Sequence, residues 1–170
     1  MLNRQFDAFI GCDADYDQAR IVLFGAPFDS TTSFRPGTRF GPKSVRGESV
    51  GLETYSPYQD RDLLDIRAFD CGDIELPFGD PVPALELIEA RAAEVLADGK
   101  LPMMIGGEHL ASLGAIRAAQ ATFPDLHIIH FDAHADLRDD YLGQTLSHAT
   151  VMRRAWSLDR KSTRLNSSHT

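Results

Sequence analysis

Short apolar runs alternate with helical segments along this chain, and that alternation is what most limits its fold. Residues 20–26, 101–105 and 126–131 are apolar, β-favouring runs, each followed by glycine, proline or polar residues. Residues 84–97 place apolar side chains at helical spacing, and Gly99 follows as a stop signal. Strands that alternate with helices predict a mainly parallel sheet with helices on both faces.

The other segments carry weaker signals. They predict helices over 43–52, 109–121 and 147–156, a short strand near 66–71 within otherwise irregular residues 53–80, and a loop over 28–42. Ser147 is a candidate N-cap for the last helix. Ligand sites of open parallel sheets lie beyond the carboxyl ends of the strands, so functional residues are expected just after each apolar run.

Size and charge restrict the class of protein. The chain has 170 residues, 43% of them hydrophobic, which is enough for one domain with a buried core. No apolar run reaches the roughly 20 residues that span a bilayer, so no membrane partner is expected. The formal net charge of −8 disfavours nucleic acid and is compatible with a small cationic substrate.

The cysteines and the two ends bear on location and domain organisation. Cys12 and Cys71 are too few for a disulfide framework and predict buried free thiols; with no apolar signal core at the start, we expect a cytoplasmic protein. Residues 1–159 are interpreted as the N-terminal portion of a single domain. Residues 160–170, RKSTRLNSSHT, are basic, serine-rich and without apolar periodicity, and are interpreted as a non-native or disordered tail.

The stretch HFDAHAD, residues 130–136, is the strongest candidate for chemistry. Asp132, His134 and Asp136 alternate, so in extended backbone they point to one side. Two carboxylates and an imidazole that converge in this way require a cation. The donor set lacks thiolate and suits Mn²⁺, while Fe²⁺, Co²⁺, Ni²⁺ and Zn²⁺ stay open. His109, after Gly106 and Gly107 at another strand end, is a further candidate ligand.

Each motif also has a purely structural interpretation. The acidic stretch can be a polar strand end whose histidine caps a neighbouring carbonyl. Gly106 and Gly107 can form a simple turn, with Glu108 favoured by the helix dipole. His127 and His130 lie within the predicted strand and are interpreted as hydrogen-bonded structural residues. Together, at two predicted strand ends, the two motifs favour a metal site.

Several motifs in order resemble a known family. GGEHLAS, HFDAHADLR and LSHAT together resemble the ureohydrolases, the family of arginase, agmatinase and their relatives. SFRPGTRFGP, GLETYSPYQDRDL and FDCGDIELPFG are similar to stretches of bacterial agmatinases, and the resemblance spans about residues 20–156. It implies the arginase-type three-layer α/β/α fold, a binuclear Mn²⁺ centre and a homo-oligomer.

The resemblance also implies a role for each matching residue. It assigns His109 and Asp136 to the first metal, His134 to the second, Asp132 as a carboxylate bridging both, and His148 as the catalytic histidine that shuttles a proton or steadies the substrate. The implied reaction is attack of a metal-activated water on the guanidinium carbon of a cationic substrate, with a proton supplied to the leaving amine. For agmatine the products are putrescine and urea, a step of polyamine biosynthesis.

One departure from the family pattern concerns the missing ligands. The family takes two further metal-binding aspartates and a substrate-binding glutamate from a later segment, and nothing after Arg154 resembles it. Two divalent ions bring four positive charges, whereas Asp132 and Asp136 bring two negative ones. We therefore expect the C-terminal part of the fold to be missing from this chain.

Other functions stay open at this point. Within the enzyme class the alternatives are arginase and hydrolases of other guanidino acids. Leu137 and Arg138 occupy the positions at which arginases contact the amino-acid end of their substrate, and these two residues argue against arginine as the substrate. A non-catalytic metal-binding fragment is the alternative from another class. A zinc amide hydrolase with a related fold is disfavoured by RPGTRFGP and GGEH.

Overall fold

A computed structural model describes residues 7–159, so the predicted tail at 160–170 lies outside the described residues. The strands are β1 (Ile21–Ala26), β2 (Tyr55–Ser56), β3 (Arg61–Asp62), β4 (Ala68–Asp73) and β5 (Leu101–Gly106). The α-helices are α1 (Gly41–Ser49), α2 (Pro81–Ala97), α3 (Ser112–Thr122) and α4 (Val151–Asp159).

The main sheet is parallel, as predicted. Its order is β4–β1–β5, with Ile21 opposite both Ala68 and Leu101. Strands β2 and β3 form a separate short antiparallel pair. The predicted strands at 20–26 and 101–105 are therefore confirmed, and the one near 66–71 is shifted to Ala68–Asp73.

The prediction of a third strand over 126–131 was wrong. Within the described part of the chain this segment has no ladder partner, and Ile129 and Phe131 are 79% and 93% exposed. An apolar run indicates that a segment tends to be buried. A strand also needs a neighbouring strand that forms hydrogen bonds with its N–H and C=O groups. No described strand supplies that neighbour here, although the segment still leads directly into the acidic motif.

Helices cover both faces of the sheet. On one face Val22 and Phe24 share a buried cluster with side chains of α2, α3 and α4. On the other face Leu23 packs with Cys12 and Ala68, and α1 lies against Gly25 on that same side. Both cysteines are free and buried, as predicted. Among residues 7–159 no helix has the length and apolar content needed to cross a bilayer.

The helix boundaries differ slightly from the prediction. Helix α1 begins at Gly41, ahead of the predicted 43, and α2 begins at Pro81 after Asp80, whose side chain accepts a hydrogen bond from the Val82 N–H. The predicted helices at 109–121 and 147–156 each open with a 3₁₀ turn, His109–Ala111 and His148–Thr150, before α3 and α4. Ser147 is the N-cap of the second turn, as predicted, and its N–H donates a hydrogen bond to the Thr150 hydroxyl at 3.0 Å.

A buried ion pair fastens α1 to β4. Arg46 Nε and Nη2 donate to the two carboxylate oxygens of Asp70 at 2.7 and 2.9 Å, and Arg46 also contacts Asp73. Asp70 is fully buried and accepts further hydrogen bonds from the N–H groups of Phe9 and Gly72. Such a pair stabilises only while both partners are present, since either charge alone would be buried unpaired.

The exit from β5 brings the chain against the segment that follows β1. Gly107 N–H donates to the Ala26 carbonyl, and Glu108 N–H donates to the Phe28 carbonyl. A Cβ on Gly107 would overlap the Phe28 backbone, whose N and C lie 2.7 Å from that position. A Cβ on Gly106 would meet Met104 Cε at 3.6 Å, an ordinary contact. The close approach therefore requires the second glycine of the pair.

Gly107→Ala is expected to lower the free energy of unfolding by about 1–3 kcal/mol or more, because backbone must move to admit the methyl group. Gly106→Ala is the matched control and should change it by less than about 0.5 kcal/mol. Urea denaturation followed by circular dichroism measures both. Equal stability of the two variants would contradict the packing described for Gly107.

Candidate active site

The candidate site lies beyond the carboxyl ends of β1 and β5. His109 is the third residue after β5 and sits on the 3₁₀ turn that precedes α3. The Glu108 side chain accepts a hydrogen bond from Leu110 N–H and so caps this turn. Asp132 and Asp136 reach the same place from the segment after 126–131.

Three side chains converge on one point. His109 Nδ1 lies 3.2 Å from Asp132 Oδ2 and 2.9 Å from Asp136 Oδ2. Their donor atoms all lie within 4.8 Å of one another. The hydrogen bond to Asp136, with the charge of Asp132 in support, raises the pKa of His109 above its ordinary value. In the ion-free chain a proton on Nδ1 therefore offsets the repulsion between the two carboxylates.

The donor set fits a divalent cation. It offers two carboxylate oxygens and one imidazole nitrogen, with no thiolate, and this combination suits Mn²⁺ among the transition metals. The backbone N–H of His134 donates to Asp132 Oδ1 and lowers the pKa of Asp132, which keeps that carboxylate charged. His109 is half exposed, so an ion has access to the cluster from the adjoining groove.

His134 lies beside this cluster without joining the group of three. Its Nδ1 is 3.7 Å from Asp132 Oδ1, and its side chain is 81% exposed. The two oxygens of Asp132 therefore face different histidines, Oδ2 towards His109 and Oδ1 towards His134. A carboxylate shared between two ions requires this kind of arrangement.

Asp136 is held by backbone as well as by its side chain. Its φ of +49° lies in the left-handed region, which aspartate tolerates better than most residues. Its carbonyl oxygen accepts hydrogen bonds from the N–H groups of Met152 and Arg153 in the first turn of α4. The N-terminus of α4 thus fixes the direction in which the buried Asp136 carboxylate points.

His148 faces the same groove from the turn that precedes α4. The groove, about 620 Å³, is lined by side chains that include His109, His134, Asp136, Tyr141 and His148. The His148 ring packs edge-on against Tyr141, with ring centroids 5.3 Å apart. All five residues that the sequence singled out therefore lie at this edge of the sheet, although only three share one point.

Sequence reasoning missed the loop that follows β1. Thr31 and Ser33 in this loop both contact His148. The position of this loop could have indicated its role, because residues 28–42 follow strand β1, whose carboxyl end lies at the site. His130, predicted as a structural residue inside a strand, lies outside any strand with its Nε2 3.6 Å from Asp132 Oδ2.

Comparisons with known proteins agree on one family. The model of the arginase family matches residues 19–165. The agmatinase of Bacillus subtilis is 53% identical over 150 residues, covering 88% of this chain and 52% of that protein. The crystal structure of agmatine ureohydrolase from Thermoplasma volcanium superposes with a TM-score of 0.83 at 38% identity, covering 91% of this chain and 51% of that one.

A more distant relative carries a metal. The structure of a Trypanosoma cruzi formiminoglutamase with Mn²⁺ has a TM-score of 0.74 at 28% identity, and covers 84% of this chain and 50% of that one. The chain spans about half the length of the curated relatives it matches. The fold, the order of the motifs and the family match agree, and the chain belongs to the arginase family.

Proposed function

We propose that this chain provides the N-terminal part of a manganese-dependent agmatinase, which hydrolyses agmatine to putrescine and urea in polyamine biosynthesis. The observation that carries the proposal is the convergence of His109, Asp132 and Asp136 beside a groove that also holds His148. The similarity to agmatinases at about half identity supports agmatine as the substrate.

The family resemblance implies a set of metal ligands, and the directions of the side chains support it. We assign His109 and Asp136 to one ion, His134 to a second, and Asp132 to both, because its two oxygens face the two histidines. Mn²⁺ suits these donors and occurs in the formiminoglutamase relative. When bound, the ions supply a water that loses its proton near neutral pH.

The chain's own residues would then bind the substrate and move a proton. The groove beside the proposed metal ligands would admit the guanidinium group of the substrate. His148 also lines the groove and would give a proton to the amine nitrogen as its bond to the guanidinium carbon breaks. Imidazole suits this step because its ordinary pKa lies near neutrality.

The site on this chain has too little negative charge for two ions. We propose that the remaining carboxylates come from a segment equivalent to the second half of the relatives, and that the complete protein is a homo-oligomer. The buried free thiols of Cys12 and Cys71 are consistent with a cytoplasmic location, which we also propose.

A second substrate class has one observation in its favour. The guanidinium of Arg138 lies 5.3 Å from the Tyr141 ring centroid, and both residues line the groove. A cation there would attract the carboxylate of a guanidino acid such as 4-guanidinobutyrate and would repel the distal ammonium of agmatine. Comparing kcat/KM for the two substrates in the chimera described below distinguishes the two functions.

The purified chain is expected to release protons when it binds Mn²⁺, because a proton on His109 must leave before the metal can bind. The raised pKa of His109 favours the proton, so affinity for Mn²⁺ should increase as pH rises through that pKa. Calorimetry in two buffers with different ionisation enthalpies measures both quantities. Binding without proton release would contradict the role of His109.

Asp136→Asn is expected to weaken Mn²⁺ binding by at least about 10–100-fold, the loss typical when a group hydrogen-bonded to a metal ligand is removed. Asparagine keeps the side-chain size and tolerates the left-handed backbone, so the fold should persist. Asp139→Asn is the matched control, since Asp139 is an exposed carboxylate paired with Arg153 outside the cluster. Equal affinity in the two variants would remove Asp136 from the ligand set.

A chimera tests the catalytic assignment. Residues 1–158 joined to the second half of the Bacillus subtilis agmatinase should release urea from agmatine in the presence of Mn²⁺. In this chimera His134→Ala should lose bound metal and nearly all activity. His148→Ala should keep the metal and lose about 10²–10⁴-fold in rate, the usual scale for a general acid–base group. Loss of metal in the His148 variant would make that residue a ligand instead.

The 170-residue chain alone should release no measurable urea from agmatine, even with excess Mn²⁺, because Asp132 and Asp136 cannot balance the charge of two ions. A coupled urea assay at high protein concentration provides the measurement, with the chimera as positive control. Steady turnover by the chain alone would show that the remaining ligands lie within these residues or on a second copy.

A further inference from the structure

The orientation of the His148 ring is set by a main-chain group. Its Nδ1 lies 2.9 Å from the carbonyl oxygen of Thr31. A carbonyl oxygen only accepts hydrogen bonds, so Nδ1 must carry the hydrogen. Neutral histidine has one N–H, and this contact therefore leaves Nε2 as the nitrogen that gains and loses a proton.

The other ring nitrogen faces the groove. His148 Nε2 lies 3.3 Å from the Ser33 hydroxyl, and Ser33 also lines the groove. With Nδ1 protonated, the Ser33 hydroxyl donates to neutral Nε2 and accepts from charged Nε2–H. The nitrogen that exchanges a proton thus contacts a residue that lines the same groove as His109 and Asp136.

Thr31 holds His148 by a second contact. The Thr31 hydroxyl accepts the hydrogen bond of His148 N–H at 3.2 Å and donates its own hydrogen to Glu108 Oε1. Glu108 is 4% exposed, and its other oxygen accepts from Leu110 N–H. One threonine therefore joins the turn after β5 to the turn that carries His148.

The loop that carries Thr31 is closed by a buried charge. Asp29 is 5% exposed and accepts hydrogen bonds from Gly37 N–H at 2.9 Å and from Arg39 Nε at 2.7 Å. The Arg39 guanidinium holds the pKa of Asp29 below its usual range, so this link stays ionised at neutral pH. The two ends of the loop are therefore held together, and the Thr31 carbonyl has a defined position.

We propose that Thr31 is a positioning residue for His148: its carbonyl keeps the hydrogen on Nδ1, and its hydroxyl, held by Glu108, keeps that carbonyl in place. Nε2 is then the nitrogen that delivers the proton, its N–H bond breaking as the new N–H bond of the leaving amine forms. The Nδ1 hydrogen stays on Nδ1 throughout and remains hydrogen-bonded to the Thr31 carbonyl. The catalytic meaning of this arrangement rests on the proposed role of His148, but the arrangement itself is a property of this chain.

Nitrogen NMR of the 170-residue chain tests the proposal without substrate or metal. Long-range proton–nitrogen spectra at about pH 8.5, some two units above the ordinary imidazole pKa, separate the two neutral tautomers. The His148 signals are identified by their loss in His148→Gln. The expected result is a protonated-type Nδ1 and an unprotonated-type Nε2. A predominant Nε2–H tautomer in the unmodified chain would overturn the proposal without any variant.

Two variants separate the hydroxyl from the bulk of the side chain. Thr31→Val keeps the shape and removes the hydroxyl, so the His148 nitrogen signals should shift towards the Nε2–H tautomer. Thr31→Ser keeps the hydroxyl and should retain the Nδ1–H tautomer. Amide shifts of Val22 and Phe24 in the core confirm that each variant is folded. An unchanged tautomer in folded Thr31→Val, or a lost one in folded Thr31→Ser, would overturn the role of the hydroxyl.

Activity of the chimera keeps the two proposals apart. Thr31→Val in the chimera should lower kcat at least about tenfold with unchanged Mn²⁺ affinity, and Thr31→Ser should restore it. An Nδ1–H tautomer in a chimera that does not hydrolyse agmatine would contradict the proposed function and leave the positioning contact in place. An active chimera whose kcat is unaffected by Thr31→Val would contradict the positioning role and leave the function in place.

Discussion

Two carboxylates, from Asp132 and Asp136, point at the same nitrogen of His109, and the rest of the site depends on how the charge at that point is balanced. Without an ion, a proton on His109 provides the balance, at 2.9 Å from Asp136 and 3.2 Å from Asp132. A divalent cation would supply more charge than one proton, and we propose that it takes the same three donor atoms. The side chains are therefore arranged so that a metal and a proton compete for one place.

The backbone makes that arrangement rigid from two directions. The close passage of Gly107 against Phe28 fixes where His109 emerges from β5. N–H groups in the first turn of α4 donate hydrogen bonds to the carbonyl of Asp136. These bonds hold Asp136, whose backbone is left-handed, in the orientation that brings its carboxylate to His109. His148 lies in the turn just ahead of the same helix, so the proposed metal ligand Asp136 and the proposed proton-transfer group share one support.

The sequence predicted most of this arrangement, and the failures have physical causes. The strands at 20–26 and 101–105 and the helix at 84–97 were confirmed because periodic burial determines them locally. The strand at 126–131 failed because apolar character does not create a pairing partner. Alternation in DAHAD correctly brought Asp132 and Asp136 together. His134 turns outward because the extended backbone assumed for it bends at residues 133–134, where the Asp132 side chain accepts a hydrogen bond from the His134 N–H. The Thr31 contact depends on a carbonyl, and main-chain groups leave no trace in residue identities.

The central claim is that a divalent ion binds between His109, Asp132 and Asp136. The most direct measurement is an anomalous-scattering map from crystals of this chain grown with Mn²⁺, collected at a wavelength where manganese scatters anomalously. The account predicts a peak about 2 Å from His109 Nδ1 and from one oxygen of each aspartate, the usual bond length for such donors. A map with no peak there, or with manganese bound only elsewhere on the chain, would contradict it.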